Sequence, residues 1–204
     1  MRKIRARASV MLGRCHMTTL ASPPRSAKLA TDVAKAVSLS NAAAALLAPT
    51  HTPREFFDTL RAQPALAEDA IRFLAAALPK REAVWWALQC VRAAFPKPSL
   101  EVTKAIAAAD AWVKEPTEVH RRACGDAASA ADYGTAPGCL AAAAFWSGGS
   151  LAPPHLAAVP PRDDLTAASA AVLLAAVVDV DHIPASHAKF VALGADIASG
   201  KSRL

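Results

Sequence analysis

The stretch LPKREAVWWALQCVR, residues 78–92, constrains the fold more than any other in this chain. Successive residues of a helix point about 100° apart, so one core-facing stripe cannot hold both Trp85 and Trp86. With Val84 at the origin, Leu88, Val91, Phe95 and Ala87 all fall within about 60° and make the core stripe. Trp86 lands about 200° away, beside Ala93 and between Gln89 and Cys90. Trp85 lands at about 100°, close to Arg81 and Arg92. A helix that is apolar over most of its circumference is buried on most sides. The double indole therefore predicts a central rod with a second layer of helices behind Trp86. It also predicts a cation–π stack of Arg81 or Arg92 on Trp85. Both rings read as core or near-core anchors; Trp85 is the one that could stay partly exposed for docking.

The remaining sequence supplies the neighbours that such a rod needs. The chain is 53% apolar and only 5% aromatic, with much of the apolar content alanine. Alanine is the strongest helix former and buries little area, which favours many closely approached helices. Alternating strand-like runs bounded by turns are not seen. Helix punctuation recurs instead. Thr52, Pro53 and Glu55 spell an N-cap, a first-turn proline and a capping box. Ser99 and Thr117 are further N-caps, each beside a proline that stops the preceding helix. Helices are predicted near 27–37, 40–48, 53–63, 67–78, 80–95, 99–114, 117–131, 137–146, 165–179 and 184–199, with Gly200 as the last C-cap. Prolines near 79, 98, 116 and 136 open successive helices at a spacing close to helix-pair repeats. The expected fold is thus all-α: a single irregular bundle of about 8–10 short antiparallel helices in solenoid-like hairpins. It should occupy residues 27–200, interrupted by a Pro/Gly-rich loop at 147–162 that lies against the helices and sets off a closing C-terminal hairpin.

Charge and thiol content narrow the function. The net charge is +6, but Arg2, Lys3, Arg5, Arg7, Arg14, Arg25 and Lys28 precede any acid. Removing those seven cations leaves −1 for residues 29–204, so the folded part has no basic stripe and nucleic acid is not an expected partner. Residues 1–26 read as a disordered basic tail, and Met17 offers an alternative start that would leave the first sixteen untranslated. The longest charge-free helical run, residues 165–178, rises about 21 Å, short of the ~30 Å hydrocarbon core, and reads as a buried helix. Cys15, Cys90, Cys124 and Cys139 show no paired spacing and suit free thiols in a reducing cytoplasm.

Three motifs invite chemistry and fail on spacing. ADIASGKS, residues 195–202, matches a relaxed phosphate-loop pattern, yet a helix precedes it where a strand is required. In DVDHIPASH, His182 and His187 diverge by about 140° on a helix, and Asp181 is expected to cap the last helix. Glu118, His120, Arg121 and Arg122 read as a solvated helix face. No catalytic residue, metal ligand or cofactor is expected.

RFLAAALPKREAVWWALQCVR (72–92) and AAFWSGGSLAPP (143–154), supported by AWVKEPTEVHRRA (111–123) and FVALGADIASG (190–200), carry a resemblance over about residues 30–200. The chain resembles a family of uncharacterised bacterial proteins, a domain of unknown function with ALPPREAVWW and FWSGGSLAPP segments. Lys80 stands where that pattern has proline, which should leave the helix start less rigid. The resemblance implies a soluble bacterial helical protein whose two signature segments meet in space. Some members lie near type VI secretion genes, which implies an accessory of a secretion system. The site residues expected are Arg81, Glu82, Trp85, Trp86, Phe145, Trp146, Gly148 and Gly149. A groove lined by Trp85, Trp146 and the Gly/Pro loop would hold a protein or peptide partner, making the chain a non-enzymatic scaffold or adaptor. An enzyme with an unrecognised site and a purely structural helical protein are the alternatives.

Overall fold

The computed structural model describes residues 29–153, 155–161 and 164–202. The basic segment 1–26, the Met17 start and Cys15 lie outside the described residues. Among the described residues the chain forms ten α-helices and no strand. They are α1 (Ala30–Ala34), α2 (Asn41–Ala45), α3 (Pro53–Arg61), α4 (Ala67–Ala77), α5 (Lys80–Ala94), α6 (Leu100–Lys114), α7 (Glu118–Ala131), α8 (Ala136–Phe145), α9 (Asp164–Ala176) and α10 (Ile183–Ala198). The all-α expectation holds.

Local chemistry sets the boundaries. The Thr52 hydroxyl accepts the Glu55 N–H while the Glu55 carboxylate accepts the Thr52 N–H at 2.8 Å, closing the capping box of α3. Ser99, Thr117 and Thr135 accept the N–H groups of Val102, His120 and Gly138. Gly200, with φ +72°, ends α10 in the left-handed conformation that favours glycine. Asp181 does not cap α10. His182 stands at the N-cap without a side-chain bond, and its Nδ1 meets the Asp179 carboxylate at 3.0 Å instead. A short 3-10 turn over Val180–His182 carries the chain from α9 into α10 and takes Asp181 off the cap position.

From α5 to α8 the chain is a succession of hairpins, each helix packed on the next. The chain then folds back. Helix α9 packs against α4, α5 and α8, so it completes the bundle from within rather than as an outlying hairpin. The expected closing C-terminal hairpin is corrected accordingly. Composition explains the fit. Ala136 to Ala144 are buried without a break, and Ala167, Ala168, Ala171, Ala175 and Ala176 are buried on α9. Small side chains on both partners let the axes approach closely, and the distance between packed helices depends on the side chains at the contact.

Helix α5 is the rod that its sequence predicts. Trp86 is 0% exposed, and its indole Nε1–H donates to the Phe190 carbonyl of α10 at 2.8 Å. The second layer behind Trp86 is α10. Gly194 makes that approach possible, because a Cβ there would collide with the Leu74 side chain and come within 2.9 Å of the Trp86 ring. The buried Asp69 of α4 accepts both the N–H and the hydroxyl of Ser40, tying α2 to the core.

Candidate functional site

The residues singled out from the sequence separate into distinct places. Trp86 faces α10 and has no surface to offer a partner, so its place among the binding residues is corrected. Trp85 is half-buried and packs on the core. The expected cation–π stack on it does not form among the described residues, because both arginines are engaged elsewhere. Arg81 donates to the carbonyls of Val113 and Lys114 at 2.6 and 2.9 Å, satisfying the C-terminal end of α6. Arg92 pairs with Asp110 at 3.1 Å. Glu82 lies in the first turn of α5 and lines a cleft against α3 and α10.

Phe145, Trp146, Gly148 and Gly149 stay together at the end of α8, around Arg121, which its sequence context places on a solvated face. Arg121 is only 4% exposed. Its guanidinium donates to the Phe145 carbonyl at 2.5 Å, to the Ser150 carbonyl at 2.8 Å and to both carboxylate oxygens of Glu118. It also lies 5.0 Å from the centre of the Phe145 ring. Gly149 adopts φ +67°, and a Cβ there would sit 3.1 Å from the guanidinium. Gly148 is different: a Cβ would meet nothing within 4 Å. Arg122 extends the clamp to the carbonyls of Ser150 and Ala152. A signal for Arg121 was present in the sequence. It shares a helical stripe with the buried Cys124 and Ala128, so its position, not its residue type, gave its location.

The loop is fastened at more than one point. Leu151 N–H donates to the Val159 carbonyl at 2.9 Å and the Ser150 hydroxyl accepts the Val159 N–H, closing residues 150–159 on themselves. Lys80, expected to loosen the start of α5, instead ties the two signature segments together. Its Nζ donates to the Ser147 carbonyl at 2.8 Å and pairs with Asp164 at 3.2 Å. At the mouth of the loop the Trp146 ring stacks on Tyr133, with centroids 5.7 Å apart and planes 4° from parallel. Tyr133 follows Asp132, whose φ of +68° is unusual for a side-chain-bearing residue. The anchored loop displays Leu156 at 58% and Val159 at 47% exposure, and Tyr133 is 42% exposed.

The ionisable groups that shift do so through structural partners. Hydrogen bonding to Arg121 lowers the pKa of Glu118. Burial raises the thiols: Cys124 is pushed up to about 12, and Cys90 and Cys139 also rise, which leaves all three poor nucleophiles near neutrality. Among the described residues no group of three or more His, Cys, Asp or Glu side chains is arranged to hold a metal ion. No single described helix is long and apolar enough to cross a membrane.

Comparison with the curated proteins and with the solved structures gives no match. One family model does match, over residues 56–198, a span that runs from α3 to the end of α10 and includes the double indole, the arginine clamp and the anchored loop. The chain belongs to the family of unknown function DUF6931.

Proposed function

We propose that this protein is a non-enzymatic helical scaffold or adaptor that binds a protein or peptide partner through the anchored loop. The carrying observation is the combination found at residues 147–161. Two arginines and a lysine fix the loop backbone, Leu156 and Val159 are left in solvent, and Trp146, where α8 enters the loop, stacks on Tyr133. Holding a loop in one conformation lowers the entropy lost on association, so a rigid loop that displays aliphatic side chains is suited to docking.

The partner we propose is a component of a bacterial secretion apparatus, on the strength of the resemblance noted above, with the adaptor acting in the cytoplasm. Three buried thiols without a disulfide suit a reducing compartment. A second reading has one observation in its favour. Trp86, Phe145 and Gly149 are all committed to packing or to the arginine clamp, as they would be in a purely structural helical protein.

Affinity purification from the native host separates the two. The wild-type chain should retain a reproducible partner, and a Leu156→Ser/Val159→Ser variant with unchanged melting temperature should lose it. No reproducible partner, or retention by the double variant, overturns the adaptor reading at this loop.

A further inference from the structure

The far half of the loop differs from the rest of the surface. His155 to Pro161 are seven consecutive exposed residues, the longest such run among the described residues. The run is stretched between two fixed points. On one side Arg121 and Arg122 hold the Ser150 and Ala152 carbonyls, and Val159 is closed onto Ser150 and Leu151. On the other side α9 begins at Asp164, which pairs with Lys80 at 3.2 Å.

Residues 157–161 belong to no helix or turn. Pro160 and Pro161 fix their own φ at about −65°, and each holds the residue before it to extended backbone. Val159 to Pro161 therefore lie in or close to a polyproline II conformation. The polar groups of the run are one-sided. The two prolines carry no N–H, and the Val159 N–H is taken by the Ser150 hydroxyl. The carbonyls of Ala157, Ala158 and Pro160 make no hydrogen bond among the described residues. Such a run offers acceptors and proline rings but few donors. It is unsuited to receiving a β-strand, which needs alternating N–H and C=O groups. It suits a groove whose aromatic side chains take the proline rings and whose donors meet the carbonyls.

We propose, resting on the adaptor reading above, that residues 157–161 are the ligand in that interaction. The partner reads them as a polyproline II segment, in an aromatic-lined groove that also supplies hydrogen-bond donors. The anchoring explains how so short a segment would suffice. Both ends are already fixed and the prolines hold the backbone between them, so little of the ordering entropy that a free peptide loses on binding remains to be lost.

The test takes the full chain with the protein it retains from the native host and challenges the pair with two probes. Decaproline, a polyproline II helix with no other sequence information, should displace the partner, and a glycine–serine decamer should not. The recovered partner, titrated with decaproline alone, should shift its own tryptophan or tyrosine emission as proline rings pack on the groove. A Pro160→Ala/Pro161→Ala variant should keep the wild-type melting temperature, since both residues are exposed. Its affinity for the partner should fall about tenfold, because each proline withholds backbone freedom that binding would otherwise remove. Unchanged affinity in that variant, or failure of decaproline to displace the partner, overturns the proposal. A partner lost by Leu156→Ser/Val159→Ser but kept by the double-alanine variant leaves the adaptor reading standing and removes this one. No reproducible partner for the wild type overturns both.

Discussion

Replacing Gly194 by alanine sets two effects of known size against each other. In the middle of a helix the change should stabilise by about 0.5–1 kcal/mol, because alanine loses less backbone entropy on folding. Gly194 lies within α10, where that gain applies. The added methyl, however, would collide with the Leu74 side chain and lie 2.9 Å from Cε2 and 3.0 Å from Nε1 of Trp86. The indole cannot move aside without losing its 2.8 Å hydrogen bond to the Phe190 carbonyl, and it is completely enclosed. Overpacking a tight core costs about 1–3 kcal/mol, and both the collision and the pinned ring favour the upper end. The net expectation is a loss of about 2 kcal/mol, or a fall in melting temperature of roughly 4–8 °C for a chain of this size. The decisive measurement is the same substitution in a Trp86→Phe background, read by thermal and urea unfolding. Phenylalanine lacks both indole atoms that crowd the methyl but leaves the Leu74 collision in place, so Gly194→Ala should there cost about 1 kcal/mol less than in the wild type. If Gly194→Ala stabilises the wild type, or costs the same in both backgrounds, the account of how α10 seats on the tryptophan is wrong.

Three more outcomes follow from the clamp and the core. Gly149→Ala should cost about 1–2 kcal/mol, from φ +67° and from contact with Arg121, and should speed proteolysis within the loop; Gly148→Ala, which meets open space, should stay within about 0.5 kcal/mol. Because Arg121 lowers the pKa of Glu118 in the fold from its ordinary 4.5, the stabilisation is complete above that value and is lost as pH falls through the lower folded value. Denaturant midpoints measured from pH 6 to pH 3 should therefore drop less steeply in Glu118→Gln than in the wild type, and parallel curves would contradict the clamp. Cys90, Cys124 and Cys139 are buried, with their thiols shifted upward, so in native buffer no more than one of the chain's four thiols should react quickly with a disulfide reagent, and all four in guanidinium. Rapid titration of two or more in the native state would show that the core opens.

Much of the fold is written in local pattern. The capping box at Thr52, the caps at Ser99 and Thr117 and the stripe on α5 depend only on residues a few positions apart, so they can be read one helix at a time. The enclosure of Trp86 is of this kind, since its position opposite the Val84 stripe already demanded a partner on each side. What such pattern cannot supply is the identity of that partner. That Phe190 would accept the indole proton, and that Gly194 would admit the ring, follow from how α10 crosses α5 more than a hundred residues later in the chain.

The candidate site shows the same division more sharply. Glycine at 149 suggests a special backbone conformation, and the short stretch from Phe145 to Gly149 holds together because those residues are neighbours in sequence. Arg121 reads as exposed because arginine usually is, and only the packing of α7 against α8 encloses it and turns it toward the carbonyls of Phe145 and Ser150. Arg81 and Arg92, side by side with Trp85 on the helix wheel, are drawn away to α6 for the same reason. A charged group goes where unsatisfied carbonyls or carboxylates lie, and their positions are a property of the assembled bundle. Sequence alone set the helices and the buried faces; the pairing of polar groups across them came from the tertiary structure, because hydrogen bonds and ion pairs depend on distances between segments that no local spacing encodes.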